Sequence, residues 1–110
     1  MKDSTDFSQW LRDQNLEEDK ALWPEANLVV EKEGNEVDSL VLAGRNRFIL
    51  GSHPSSDFKL EHGSISKFHA GLYFSSNMEL ILVDLNSSHG TSIIRHEQEI
   101  KLEPLRPESL

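Results

Sequence analysis

Cysteine is absent from this 110-residue chain. That excludes a disulfide framework and any thiolate-ligated metal site, and it leans towards a reducing, intracellular compartment. Long apolar runs are absent too: none approaches the roughly 18 residues a membrane-spanning helix needs, so no membrane partner is expected. The opening Met1-Lys2-Asp3-Ser4-Thr5-Asp6 has no apolar stretch and does not read as a secretory signal. Basic residues are scarce, 11 Lys and Arg against 19 Asp and Glu, for a net charge of −8. The imbalance sits in residues 1–39, which hold 11 acidic and 4 basic residues; residues 40–110 hold 8 and 7. Neither part has the basic footprint that displaces counterions from nucleic acid, so direct nucleic-acid binding is not expected. Apolar residues make up only 36% of the chain. That is low for a globular protein and places part of the length outside the core. The length suits one core rather than two.

The chain divides at about residue 25. Residues 1–25 form an acidic N-terminal segment, helical or flexible. Asp6 stands as an N-cap with Gln9 in capping-box position. Phe7, Trp10 and Leu11 then share one helical face, and Pro24 stops any helix. These aromatics either pack on the outside of the domain, form a docking segment for a partner, or belong to a disordered lead-in.

Residues 26–110 read as strands. Leu28-Val29-Val30 and Leu40-Val41-Leu42 flank the turn signal Gly34-Asn35-Glu36. Arg47 to Leu50, Phe58 to Leu60, Ala70 to Phe74, Thr91 to Ile94 and Ile100 to Leu102 continue the series. Leu80 to Leu85 is nearly all apolar, which suits a strand buried on both faces. Short strands at intervals of about 8–12 residues, with turn residues between them, indicate an all-β sandwich.

Three loops at strand ends carry the polar chemistry. The first, Gly51-Ser52-His53-Pro54-Ser55-Ser56-Asp57, allows a sharp strand exit and a stiff, self-bonded turn. The second, Ser66-Lys67-Phe68-His69, offers a hydroxyl donor and a mobile ammonium. His69 begins an apolar strand, where its ring is expected to bond backbone and brace the loop. The third, Asn86-Ser87-Ser88-His89-Gly90-Thr91, follows the buried strand, with Gly90 suited to a positive φ. Hydroxyls, amides and one cation are the chemistry that holds a phosphate.

Each loop alone is a weak signal, but their order and spacing together are specific. The chain resembles a forkhead-associated (FHA) domain over about residues 28–105. The likeness rests on Phe48-Ile49-Leu50-Gly51, Ile65-Ser66-Lys67-Phe68-His69-Ala70 and Val83-Asp84-Leu85-Asn86-Ser87-Ser88-His89-Gly90-Thr91. The His-Gly-Thr variant followed by Ile100-Lys101-Leu102-Glu103-Pro104 looks like nuclear members of the family.

The resemblance implies a β-sandwich that reads phosphothreonine peptides, located in the nucleus or cytoplasm. It implies that Ser66 donates its hydroxyl to the phosphate and that Lys67 contacts phosphate or peptide backbone. Ser88 would line the pocket, and His89 would replace an asparagine that bonds the peptide main chain. Gly51, His69, Gly90 and Thr91 would shape and brace the loops.

Two departures stand out. Ser52 occupies the position of the family's phosphate-binding arginine. Hydrogen bonds to charged groups contribute about 1.5–3 kcal/mol each, so its loss weakens binding roughly tenfold to a hundredfold. Arg45 or Arg47 is the candidate to reach in instead, subject to strand alternation. The family also continues past Leu-Glu-Pro with a Gly-Asp turn and two more strands. The expected sandwich lacks these last two strands, and its open edges would invite pairing with a second copy.

The alternative function is a degenerate FHA scaffold that binds an unphosphorylated protein partner or forms oligomers. An enzyme is not expected: Ser66, His69 and Asp84 are the residue types of a hydrolytic triad, but Ser66 has no nucleophile-elbow context. The five histidines lack metal-ligand spacing, so neither a metal nor a cofactor is expected.

Overall fold

The computed structural model describes residues 4–14, 16, 25–32 and 34–110. They form one helix, α1 (Ser4–Asp13), and nine strands. In chain order the strands are β1 (Ala26–Lys32), β2 (Asn35–Leu42), β3 (Arg47–Gly51), β4 (Phe58–Lys59), β5 (Ala70–Phe74), β6 (Leu80–Asp84), β7 (Ser92–Arg95), β8 (Gln98–Lys101) and β9 (Glu108–Ser109). No described helix is long and apolar enough to cross a membrane.

A five-stranded sheet in the order β4-β3-β5-β6-β9 is the centre of the fold, and the hairpins β1-β2 and β7-β8 are separate two-stranded sheets. Register lines up Phe48, Leu72 and Leu82 across β3, β5 and β6, and Ile49, Gly71 and Val83 in the next row. Because successive side chains point to opposite faces, these two rows build two different cores. On one face Phe48, Leu72 and Phe74 meet Leu42, with Ala26, Leu28 and Leu40 of the first hairpin packed around them. On the other face Ile49, Tyr73 and Val83 meet Phe7 and Leu11 of α1, together with Phe68 and Leu85. The β6 sequence is therefore apolar at nearly every position because both of its faces are covered.

The helix is amphipathic and spends its apolar stripe on the sheet. Phe7 and Leu11 are each 1% exposed, and burial of such side chains contributes about 1.5–3 kcal/mol apiece. The Phe7 ring lies against Gly71, close enough that a β-carbon there would fall 2.4 Å from Phe7 Cζ. Tyr73 meets the Phe7 ring edge-on at 6.3 Å and the Trp10 ring at 6.1 Å. The helix begins at Ser4, so Asp6 is not the N-cap that its spacing to Gln9 indicates. Asp6 lies in the first turn, where a carboxylate suits the positive end of the helix. Gln9 turns along the helix to Asp13 and Arg12 instead.

Candidate functional site

The first two loops meet through main-chain bonds, and the third joins them through the side chains of Ser66 and His69. At the end of β3, Ser52 N–H donates to Ser66 C=O at 3.0 Å and His53 N–H donates to Lys67 C=O at 3.1 Å. This approach requires glycine at position 51, since a β-carbon there would lie 2.0 Å from the Lys67 carbonyl oxygen. The His53 ring covers Phe68 at 4.8 Å between centroids, and its Nδ1 accepts the Ser55 N–H at 3.0 Å.

Ser66 is the hub. Its C=O accepts from the first loop, its N–H donates to His69 Nδ1 at 3.0 Å, and its Oγ accepts the Ser88 N–H at 2.9 Å. A hydroxyl has one donor and two lone pairs, so the Ser66 proton remains available to an incoming acceptor. With Nδ1 accepting, His69 carries its proton on Nε2 and donates it to Gly90 C=O at 2.9 Å. The 8%-exposed imidazole thus spans the second and third loops.

The third loop hangs from Asp84, a carboxylate 1% exposed. It accepts from Ser87 N–H at 3.1 Å, Ser87 Oγ at 2.5 Å and Thr91 Oγ1 at 2.7 Å. Ser87 Oγ in turn accepts the Gly90 N–H at 3.0 Å. Burial pushes the Asp84 carboxyl upward. The bonds from Ser87 and Thr91 outweigh it and hold it below the ordinary carboxylate value. Asn86 and Gly90 take positive φ of 61° and 83° to turn the chain, and Ser88 and His89 are left exposed at the tip.

Sequence reasoning grouped Ser52, Ser66, Lys67 and Ser88, and the structure brings their backbones together. It places both candidate arginines elsewhere. Arg47 is 6% exposed, and it donates from Nη2 to Leu16 C=O at 3.0 Å and from Nε to Asn46 Oδ1 at 3.2 Å. Strand alternation sets it in the row of Tyr73 and Ile81, on the face that α1 covers. Arg45 is ion-paired with Asp57 and stacked on the Phe48 ring at 4.8 Å. Ser66, His69 and Asp84 do not form a relay, because His69 bonds the Ser66 main chain and Gly90 while Asp84 bonds Ser87 and Thr91.

Sequence reasoning missed Phe68, whose ring anchors the Ser66–His69 loop in the α1-side core. Its one signal was an aromatic inside an otherwise polar tetrapeptide. Asp57, a turn former by its sequence context, also accepts the Ile49 N–H at 2.7 Å and holds Arg45.

The fold is thus a β-sandwich whose strand-end loops are cross-linked around Ser66 and His69. The family model for the FHA domain matches residues 44–109, and the chain belongs to that family. Its FHA region is similar to the human protein named nuclear inhibitor of protein phosphatase 1, 32% identical over 89 residues. That match covers 79% of this chain and 24% of the relative, so the chain spans about a quarter of it. Among solved structures it is similar to the FHA domain of TbPar42, at 29% identity and a TM-score of 0.57, covering 80% of this chain and 48% of that one. It is also similar to the FHA domain of the CT664 protein from Chlamydia trachomatis. That match has 26% identity and a TM-score of 0.55, and covers 72% of this chain and 81% of that one.

Proposed function

We propose that this domain reads phosphothreonine peptides through the loops at 51–57, 64–69 and 86–91. In this reading Ser66 donates its hydroxyl to the phosphate, Lys67 supplies a point charge, and Ser88 and His89 line the pocket and hold the peptide main chain. Gly51, His69, Gly90 and Thr91 keep the loops in register. The observation that carries it is the Ser88 N–H to Ser66 Oγ bond, which orients the hydroxyl and leaves its proton to donate. Affinity is reduced by Ser52, which offers no bidentate fork.

The test is titration of a phosphothreonine peptide library against the domain. Binding in the micromolar range that disappears on dephosphorylation supports the reading, and nothing tighter than millimolar overturns it. Ser52→Arg is expected to raise affinity roughly tenfold to a hundredfold.

One observation favours a second reading, a scaffold that binds protein without phosphate: both nearby guanidiniums are engaged away from Ser66. Under that reading Ser52→Arg gains nothing and dephosphorylated partners bind equally well. The likeness to a nuclear protein supports nuclear residence, which imaging of the tagged chain checks.

A further inference from the structure

We infer that Lys101 is a second cationic contact of this site, matched to peptides that carry another anion beside the phosphothreonine. The inference rests on the phosphopeptide reading above.

Among the described lysine and arginine side chains, nearly every charge is already committed. Arg45 holds Asp57, Lys59 holds Glu61, Arg95 faces Glu108 and Arg106 holds Glu103. Arg12 donates to Gln9, and Arg47 is buried on Leu16 and Asn46. Lys67 and Lys101 alone among these make no ion pair or hydrogen bond, and both are exposed. Of the acids near Lys101 in sequence, Glu103 and Glu108 are taken up by Arg106 and Arg95, while Glu99, two residues earlier on β8, is exposed and leaves the Lys101 ammonium without an ion pair.

The position of Lys101 is fixed. It pairs with Ser92 across the β7-β8 register, and the following Leu102 N–H donates to Thr91 C=O at 2.8 Å. This holds the end of β8 against the exit of the third loop. The Lys101 side chain then runs along Gly90, where a β-carbon would sit 3.5 Å from Lys101 Cε. Gly90 is the residue that His69 ties to the Ser66 loop. One uncommitted ammonium group therefore sits on the second loop and the other, from the end of β8, lies beside the third, the two loops that the Ser66–Ser88 bond joins.

One guanidinium fork grips a single phosphate from one side. Two separate ammonium points, each on its own flexible stem, suit two separate anions. In a domain of net charge −8, such a pair discriminates against acidic ligands that lack the right spacing. An exposed ion pair changes affinity by a modest factor that salt reduces.

The experiment uses the whole domain and alanine-flanked phosphothreonine peptides. One series carries a glutamate scanned through the four positions after the phosphothreonine, and a second carries phosphoserine there. The expected result is a gain of roughly twofold to fivefold at one position, larger for phosphoserine and smaller at high salt. Lys101→Gln removes that gain without changing affinity for the alanine-flanked peptide, and Lys101→Arg keeps it. Identical gains in wild type and Lys101→Gln overturn the role of Lys101 and leave the phosphopeptide reading standing. Failure of the alanine-flanked phosphopeptide to bind wild type, where its library also fails, overturns both. Matching thermal unfolding of the Lys101 variants and wild type shows that the loss is in binding rather than folding.

Discussion

Ser66 Oγ receives the main-chain N–H of Ser88 at 2.9 Å across 22 residues of sequence, so one side chain both joins two loops and defines the centre of the site. Ser66→Ala leaves the Ser88 N–H without its partner. The expected cost is about 1 kcal/mol in urea unfolding, together with loss of phosphopeptide binding in the same titration used for wild type. A variant that keeps full affinity would remove Ser66 from the phosphate contact.

Asp84 makes stability depend on acid. Its carboxyl titrates below the ordinary value in the folded chain, so its contribution is fully present above an unfolded value of about 3.9. It is lost as pH falls through the lower folded value. Asp84→Asn should be less stable than wild type by about 1–3 kcal/mol at pH 7. The gap should narrow as pH is lowered from 5 towards 2, measured by chemical denaturation at each pH. A gap that is constant over that window would assign the loss to packing rather than charge.

Phe7 and Gly71 form a coupled pair. Phe7→Ala should cost about 3–5 kcal/mol. Gly71→Ala should cost about 1–3 kcal/mol by pressing a methyl group into the ring. The double variant should lose less than the two single losses combined, since removing the ring makes room for the methyl group, and a double-mutant cycle measures that coupling. Because Phe68 shares this core, Phe7→Ala should also shift the amide resonances of Ser66 and Lys67.

The β7-β8 turn is strained in a correctable way. His96 and Glu97 both take positive φ, 51° and 64°, in a two-residue hairpin turn that favours Asn-Gly. The double change His96→Asn with Glu97→Gly should stabilise the domain by about 1–2 kcal/mol, seen as a higher unfolding midpoint with an unchanged denaturant slope. It lies outside the three loops, so phosphopeptide affinity should not move.

Much of this architecture is legible in the residues because each strand's pattern answers to its own two faces. The alternation in Ala70–Phe74 and the nearly continuous apolar run of Leu80–Leu85 reflect a sheet covered on both sides. The 3- and 4-residue spacing of Phe7, Trp10 and Leu11 shows a helical stripe. The stripe states that a partner surface exists but not which one, so the sheet face under α1 was not readable. Arg47 was unreadable for a related reason: its partner, Leu16 C=O, is a backbone atom 31 residues away, and every residue has such an atom. The Asp84 network was hidden because Asp84, Ser87 and Thr91 are common loop residues whose meaning lies in their convergence.

The two coverings of the central sheet, α1 on one face and the β1-β2 hairpin on the other, both lie ahead of the family-matched stretch at residues 44–109. During synthesis they leave the ribosome before the sheet they cover, and neither has a place to dock until β3, β5 and β6 have followed. A fragment trimmed to the matched stretch would present Ile49, Tyr73 and Val83 on one side and Phe48, Leu72 and Phe74 on the other to water. Such a fragment is expected to be less soluble than the chain that carries α1 and the β1-β2 hairpin, because both of its sheet faces would be apolar and uncovered.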